Sequence, residues 1–351
     1  MKFFLYFTGA IVIISTLIPV LKKEFWWIRI FDFPRIQIAS IGFIILSTFL
    51  FVMDYDQWVD LAFSALLIAT IVVHSLKFFP YTKLHKHQVI DCDQPDQHFS
   101  FSLIVMNVLM SNRNSGKALE ILAKRQPDII VALETDQWWK NAMSELENIY
   151  PYHVLIPKDN TYGMFIYSKL KIEKYKIRYM LDEDVPSIHA RLKLPQNKTL
   201  YFFAVHPKPP APGHSEKSTD RDAELIMVGK RTRRIKSPVI VAGDLNDVAW
   251  SYTTNLFQKF SQLLDPRIGR GLFNTFNAQK SLMRWPLDHI FHSDHFQVCE
   301  IQRLEKFGSD HFPILVKLCF VPKEQGLQEE PNLDDEEYED AIEKVARAKA
   351  E

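Results

Sequence analysis

The chain has 351 residues, 47% of them hydrophobic and 13% aromatic. That is rich for a purely soluble protein and long enough for one large domain plus an attachment. Lys+Arg and Asp+Glu both total 42, yet Glu324–Glu351 alone carries 11 acidic and 3 basic residues, which leaves a surplus of about eight positive charges elsewhere and suits anionic ligands. Cys92, Cys299 and Cys319 have no metal-ligand spacing and exclude a disulfide scaffold.

The first 80 residues predict a membrane domain of three transmembrane helices. Phe3–Leu21 is nearly all apolar and uncharged, Ile36–Met53 is a second such run, and Trp58–Phe79 is a third. Asp60, His74 and Lys77 fall near the ends of the third run, where long or polar side chains reach water cheaply. Trp26, Trp27 and Trp58 fall where interfacial anchors sit. A signal peptide fits the first run poorly: no small-residue cleavage site is evident, and two more spans follow. Lys22, Lys23, Arg29 and Arg35 follow the first span, and Lys83 and Lys86 follow the third. The opposite side has Lys2, Asp54 and Asp56. The positive-inside rule then puts the bulk of the chain in the cytoplasm. Residues 81–98 are polar, flanked by Pro80 and containing Pro95, and read as a linker.

From Phe99 the pattern changes to short strands alternating with helices. Strands are predicted at Phe101–Val105, Ile129–Leu133, Tyr162–Tyr167, Ile188–Leu194, Leu200–Val205, Val239–Ala242, Leu287–His292, Gln297–Arg303 and Phe312–Phe320. Helices are predicted at Gly116–Arg125, from Ser218 or Thr219 to about Ile235, and near Tyr252–Phe260. Residues 323–351 predict disorder or a loose helix, with no apolar face wide enough to dock.

The stretch VIVAGDLND, Val239–Asp247, organises the rest. A short buried strand breaks at Gly243, and Asp244, Asn246 and Asp247 follow at once. Other strand ends present Asn107, Glu134, His206, Asp288 and the pair Asp310–His311. One sheet, or two packed sheets, can bring such ends to one rim. Carboxylate, carboxamide and imidazole without thiolate suit a hard cation such as Mg²⁺ together with a phosphate. That mixture serves attack of water on phosphorus, which needs charge neutralisation, a base and donors for the developing charge. Taken singly, each residue has a structural reading, as an Asx turn, a helix cap or a packed loop histidine. Taken jointly, they are complementary.

With these motifs in place, the chain resembles the endonuclease/exonuclease/phosphatase superfamily over roughly Phe99–Val321. The resemblance rests on MNVL (Met106–Leu109), DIIVALE (Asp128–Glu134), YGMFIYSK (Tyr162–Lys169), VHPKPP (Val205–Pro210), GDLND (Gly243–Asp247), LDHIF (Leu287–Phe291) and GSDHFPI (Gly308–Ile314), in family order. It implies an α/β four-layer sandwich of two mixed β-sheets flanked by helices. The apolar N-terminus and the HPxPP form resemble a bacterial membrane-attached branch, which implies an inner-membrane location.

The resemblance also implies roles. Glu134 matches a metal-binding glutamate, Asn107 the asparagine beside the metal, and Asp310 a carboxylate near it. Asp244 matches the residue that orients or deprotonates the attacking water, and Asn246 its phosphate-holding partner. His311 matches the phosphate-binding histidine, and Asp288 the aspartate that orients it. His206 matches a histidine or tyrosine near the phosphate or leaving group. The implied cofactor is Mg²⁺, with Mn²⁺ as a substitute, and the implied substrate a phosphate ester of a nucleic acid or a phospholipid. Lys208 with its prolines, a rigid basic rim, departs from other branches. No counterpart is evident to the second acidic residue that some nucleases carry, nor to the substrate inserts of lipid-acting members. Arg221 and Asp222 either reach the phosphate or form only a helix N-terminal turn. A non-catalytic membrane-anchored binding protein on the same fold is the competing class.

Overall fold

The N-terminal apolar runs fold as helices that bury a shared stripe. In the computed structural model, which describes residues 1–21, 23–92, 99–322 and 326–350, these are α1 (Lys2–Leu17), the short α2 (Trp26–Arg29), α3 (Arg35–Phe49) and α4 (Trp58–Phe78). Lys22, residues 93–98 of the expected linker and residues 323–325 of the expected tail lie outside the described residues. Leu5, Val12, Ile38, Ile45, Phe49, Phe63 and Leu67 pack between α1, α3 and α4. Lys2 pairs with Asp60 at 2.5 Å, so the N-terminus lies beside the α3–α4 turn.

Where three continuous spans are expected, two helices, Lys2–Leu21 and Trp58–Tyr81, are long and apolar enough to cross a membrane. The third is a broken pair: Trp26–Asp32 meets Arg35–Phe49 at 67°. Pro34 stands at the break and removes a backbone donor there.

The described residues from 99 onward form two mixed sheets. The first runs in the order β10 (Phe296–Arg303), β11 (Ile314–Phe320), β1 (Phe99–Asn107), β2 (Ile129–Leu133), β4 (Met164–Ser168), β3 (Tyr152–Ile156). The second runs β5 (Ile172–Tyr179), β6 (Pro186–Lys193), β7 (Thr199–Val205), β8 (Val239–Asp244), β9 (Asp288–His292). The pairs β1–β2 and β7–β8 are parallel, and the others are antiparallel. Phe101, Leu103 and Val105 meet Phe202, Ala204, Ile240 and Ala242 between the sheets. The outer faces carry α5 (Ser115–Arg125) and α6 (Gln137–Ala142) on one side, α7 (Thr219–Thr232) and α8 (Tyr252–Ser261) on the other. These four layers are the architecture expected from the sequence.

Two strands escape the sequence reading. β5 is an exposed edge whose Lys174, Lys176 and Arg178 dilute its apolar pattern, and charge on an edge strand blocks further pairing. β3 is short and only half-buried.

The tail is helical, as one of its two expected readings had it, but it docks where no docking was expected. Asp335–Ala350 is a helix, α9, docked on α7 and α8. Its stripe is narrow, but Ala341 and Ala348 let it approach closely, and Ala341 packs with Ile226, Leu256 and Phe260. Tyr338 stacks on Phe260 at 5.8 Å. Lys344, only 4% exposed, reaches Glu24 Oε1 at 3.1 Å and Asp222 Oδ2 at 3.4 Å.

The helical region is joined firmly to the sheets. Trp26 N donates to Glu216 O at 2.9 Å, and Trp250 Nε1 donates to Asp32 O at 2.8 Å. Arg29 pairs with Asp222 at 3.4 Å, and Asp222 also accepts from Ser218, Arg221 and Thr253. Residues 81–92, expected as a linker, are likewise strapped down. Tyr81 is buried and donates to Ala249 O at 2.7 Å, and Cys92 N donates to Val298 O at 2.9 Å.

Candidate functional site

Strand register assembles the polar rim. Side chains alternate along a strand, so the inward parity of Leu103 and Val105 continues to Asn107, that of Ile240 and Ala242 to Asp244, and that of Ile290 back to Asp288. Asp244 pairs in register with Asp288, and Asn107 with Leu133, the residue before Glu134. Val205, which precedes His206, pairs with Gly243. Val105 pairs with Ile314, three residues after His311.

Glu134 needs a further device. Strict alternation would send it to the face opposite Leu133. Its backbone is left-handed (φ +59°), which breaks the alternation and turns the carboxylate back to the rim. Gly243 serves in another way: a Cβ there would sit 1.8 Å from Val205 O, so only glycine lets β7 and β8 close next to Asp244.

The side chains then interlock. Asn107 Nδ2 donates to Glu134 Oε1 at 2.7 Å and to Asp244 Oδ2 at 3.2 Å, so one amide group joins the two carboxylates. Asn107 Oδ1 is taken by Leu109 N at 3.0 Å. Asp244 Oδ1 accepts from Asn246 N at 2.8 Å. Asn246 Nδ2 donates to Pro207 O at 3.0 Å. His311 lies between two carboxylates: its Nδ1 is 2.8 Å from Asp288 Oδ2, and its Nε2 is 3.6 Å from Asp244 Oδ2. His206 Nε2 is 4.0 Å from Asp244 Oδ2. Asp310 is half-buried next to His311, and among the described residues its Oδ1 has no hydrogen-bond partner. All eight residues expected from the sequence therefore lie at this rim.

Burial alone would lower the His311 pKa, but Asp288 and Asp244 beside it overcome that and raise it, keeping the ring protonated. Burial raises the Asp244 carboxyl against the pull of that same charge. Burial, reinforced by the charge on His311, lowers His206 to about 4 and so keeps it neutral. Glu134 is raised by burial, which Asp310 reinforces and Asn107 and His311 oppose.

The residues present fit a divalent cation. Glu134 and Asp310 sense each other's charge, and Asp310 carries an unpartnered buried oxygen. An all-oxygen set of this kind suits Mg²⁺ or Mn²⁺. Asp244, Asp288 and His311 also converge within 4.8 Å, but His311 already fills the space between the two carboxylates as a cation. Asn107 offers the rim its amino group and not its oxygen, so it braces Glu134.

Four features were not read from the sequence. Arg221 is buried and braces the loop after β8: Nη1 donates to Asn246 O at 2.8 Å, and Nη2 lies 3.1 Å from Asp247 Oδ2. Neither Arg221 nor Asp222 lines the cleft: of the two readings left open for them the helix N-terminal turn holds, since both lie in the first turn of α7, and from there they tie α7 to the β8 loop. The rim opens into a cavity of about 900 Å³ whose far wall is Trp26, Arg29, Ile30, Phe31, Phe33 and Pro34. Lys208 is drawn off the expected basic rim by Asp182, at 3.2 Å. The cysteines, although distant in sequence, bring their three sulfurs within 4.8 Å of one another on the far edge of the first sheet. The β10–β11 register shifts at Cys299.

The chain shares its fold with solved structures of low sequence identity. D. rerio TDP2 complexed with single strand DNA product aligns at TM-score 0.53 and 17% identity, covering 62% of this chain and 98% of that one. The human Nocturnin catalytic domain with bound sulfate anion aligns at 0.52 and 16%, covering 65% and 99%. An endonuclease/exonuclease/phosphatase from Beutenbergia cavernae aligns at 0.51 and 14%, covering 63% and 72%. None of the curated proteins compared with the chain matches it. The sequence profile described as the Endonuclease/Exonuclease/phosphatase family matches residues 104–311, more than half the chain, across every motif that builds the rim. The chain belongs to the endonuclease/exonuclease/phosphatase family.

Proposed function

We propose that the protein is a membrane-anchored, divalent-metal-dependent phosphoesterase that cleaves phosphodiesters by attack of water on phosphorus. Membership of a family of metal-dependent phosphoester hydrolases supports the reaction class. The observation that carries the assignment to this rim is the unbroken chain Glu134–Asn107–Asp244, with His311 clasped between Asp244 and Asp288.

In this reading Asp244 orients the attacking water and takes its proton. A carboxyl raised towards neutrality is suited to that work. Asn246 holds the phosphate, and Arg221 fixes Asn246 from behind through its carbonyl. His311 points a protonated ring at the charge that develops on the phosphoryl oxygens, and Asp288 fixes its orientation. His206 stays neutral beside the same Asp244 oxygen that His311 faces, near the leaving oxygen. A cation held by Glu134 and Asp310, with Asn107 bracing Glu134, neutralises phosphoryl oxygens when bound. The water oxygen bonds to phosphorus, one P–O ester bond breaks, and the departing oxygen picks up a proton, giving a phosphomonoester and an alcohol.

The helices provide the attachment. Lys2 and the α3–α4 turn lie together, whereas the α1–α3 loop and the end of α4 lie against the catalytic layers. With its loop arginines and lysines on that second side, the catalytic domain is cytoplasmic.

The test is hydrolysis of bis(p-nitrophenyl) phosphate by the full chain in detergent, with Mg²⁺ or Mn²⁺ and with chelator. The proposal expects metal-dependent release of nitrophenol that Glu134→Ala and His311→Ala each abolish. No turnover with either metal would leave the non-catalytic binding protein as the better reading, and turnover that is indifferent to chelator, or unchanged in both variants, would overturn the assignment of a metal-dependent reaction to this rim.

A further inference from the structure

We infer that the substrate is a phosphodiester lipid of the membrane itself. Its headgroup phosphate sits at the rim, and its chains lie along an apolar wall that the helical region contributes. This rests on the hydrolase reading above and narrows it.

The first observation is where the cleft's walls come from. Trp26, Ile30, Phe31, Phe33 and Pro34, between α1 and α3, line the same cavity as Glu134, Asp244 and His311. The segment that bears them is the bent stretch between two apolar helices, so it lies at the level where those helices would leave the lipid. Its polar groups do not face outward as those of an ordinary surface helix would. Arg29 pairs with Asp222 and Asp32, and Arg35 pairs with Asp32. The outward face is left to Trp27, 50% exposed, and to Ile30. An exposed tryptophan beside an exposed isoleucine at a span end suits the acyl–headgroup boundary.

The second observation comes from the opposite wall. Met283, Trp285 and Leu287 line the cavity from the loop before β9. That loop leans on the start of α3, where Gln37 Nε2 donates to Leu282 O at 2.9 Å. Leu282 is itself 84% exposed. Two segments from different parts of the chain thus turn apolar side chains both into the cleft and outward at the level of the spans.

Charge decides between the two macromolecular substrates that a phosphodiesterase could take. A nucleic-acid strand needs cationic side chains along its path to balance successive phosphates. Among the described residues, Arg29 is the cavity's single Lys or Arg, and its charge is committed to Asp222 and Asp32. A lipid presents one phosphate and needs apolar cover for the rest. A cavity of about 900 Å³ has room for a headgroup and the first part of its chains. Water adds its oxygen to phosphorus and a proton to the departing oxygen, so one lipid gives one phosphomonoester and one alcohol.

The experiment compares substrates on the full chain reconstituted with Mn²⁺. The substrates are phosphatidylglycerol/phosphatidylethanolamine vesicles, their deacylated headgroup diesters, single-stranded DNA and RNA oligonucleotides, and bis(p-nitrophenyl) phosphate as reference. The inference expects the long-chain lipid to be cleaved at least about tenfold faster than its deacylated headgroup. It expects Phe31→Asp and Met283→Asp, on opposite walls, each to lower the ratio of lipid to reference cleavage by about tenfold. Cleavage of deacylated diesters or oligonucleotides at the lipid's rate, or an unchanged ratio in both variants, would overturn it. A chain that cleaves the reference but no lipid loses this inference and keeps the hydrolase. A chain that cleaves nothing loses both.

Discussion

On one side of the cleft, Asn107, Asp244 and Asp288 take their positions from strand register. On the other, Trp26 to Pro34 take theirs from ion pairs and hydrogen bonds between a helical segment and α7, the stretch before α7 and the loop after β8. The first side is rigid because each polar residue ends a strand that is buried on both faces. The second depends on a few buried charges, with Asp222 at the centre gathering Arg29, Arg221 and Lys344. On the proposed function, chemistry is thus separated from selection: the rim would hydrolyse a phosphodiester that arrives, and the wall would decide what arrives. That division is what experiments can break.

The largest effect should come from the rim. His311→Ala removes the protonated ring and leaves two carboxylates facing each other, so kcat/KM should fall by roughly 10³-fold for every substrate alike. Steady-state kinetics on the reference diester and on lipid would check this, and a loss confined to one of them would blur the division between the two sides. Next comes the wall's attachment. Asp222→Ala strands the buried Arg29 and Arg221 and should cost about 3 kcal/mol, read as several degrees in the melting temperature of the detergent-solubilised chain. Lys344→Met cuts one of the contacts to Asp222 and keeps the packing of α9. Its cost should be smaller, about 1 kcal/mol in the same melt.

The smallest effect separates α7 as a brace from α7 as chemistry. Glu224 is buried, its Oε1 has no partner among the described residues, and burial raises its pKa to about 8, reinforced by Asp182 and Asp220. The folded chain therefore keeps that proton up to about pH 8, whereas the unfolded chain loses it near the ordinary value of 4.5. Between those values the folded state binds the extra proton, so stability falls as pH rises, and it levels off above. Glu224→Gln should melt higher than the parent at pH 9, by on the order of 1 kcal/mol, and about equal to it at pH 4.5. A gain that did not grow with pH would contradict the assignment.

Much of the rim was legible in the sequence because it obeys a period of two. A polar residue that ends a run such as Ile240–Ala242 inherits the run's face, so strand ends alone identified Asn107, Asp244 and Asp288. Glu134 was legible as a strand end too, but not the face it takes, since its left-handed backbone breaks the alternation that local pattern can see. The wall was not legible. Trp26 read as an ordinary interfacial anchor and Phe31 carried no reading at all, and nothing in their spacing says that they line one cavity with Asp244. Arg221 was legible as the first turn of a helix, but its bracing role was not, because its partner, the carbonyl of Asn246, is 25 residues away. The docking of α9 was hidden by a stripe of alanines and one lysine, which has no apolar signature. The convergence of Cys92, Cys299 and Cys319 joins residues far apart in sequence, which their spacing does not display.

The account stands on the rim being one centre and not a set of separately buried polar groups. A double-variant cycle on bis(p-nitrophenyl) phosphate hydrolysis, with Glu134→Ala, His311→Ala and the two combined, tests that most directly. If both residues act on the same phosphate, the combined variant should lose little beyond the worse single one, within about tenfold. If the losses multiply in full, or if either single variant keeps the parent's rate, the two residues do not serve one reaction and the central claim fails.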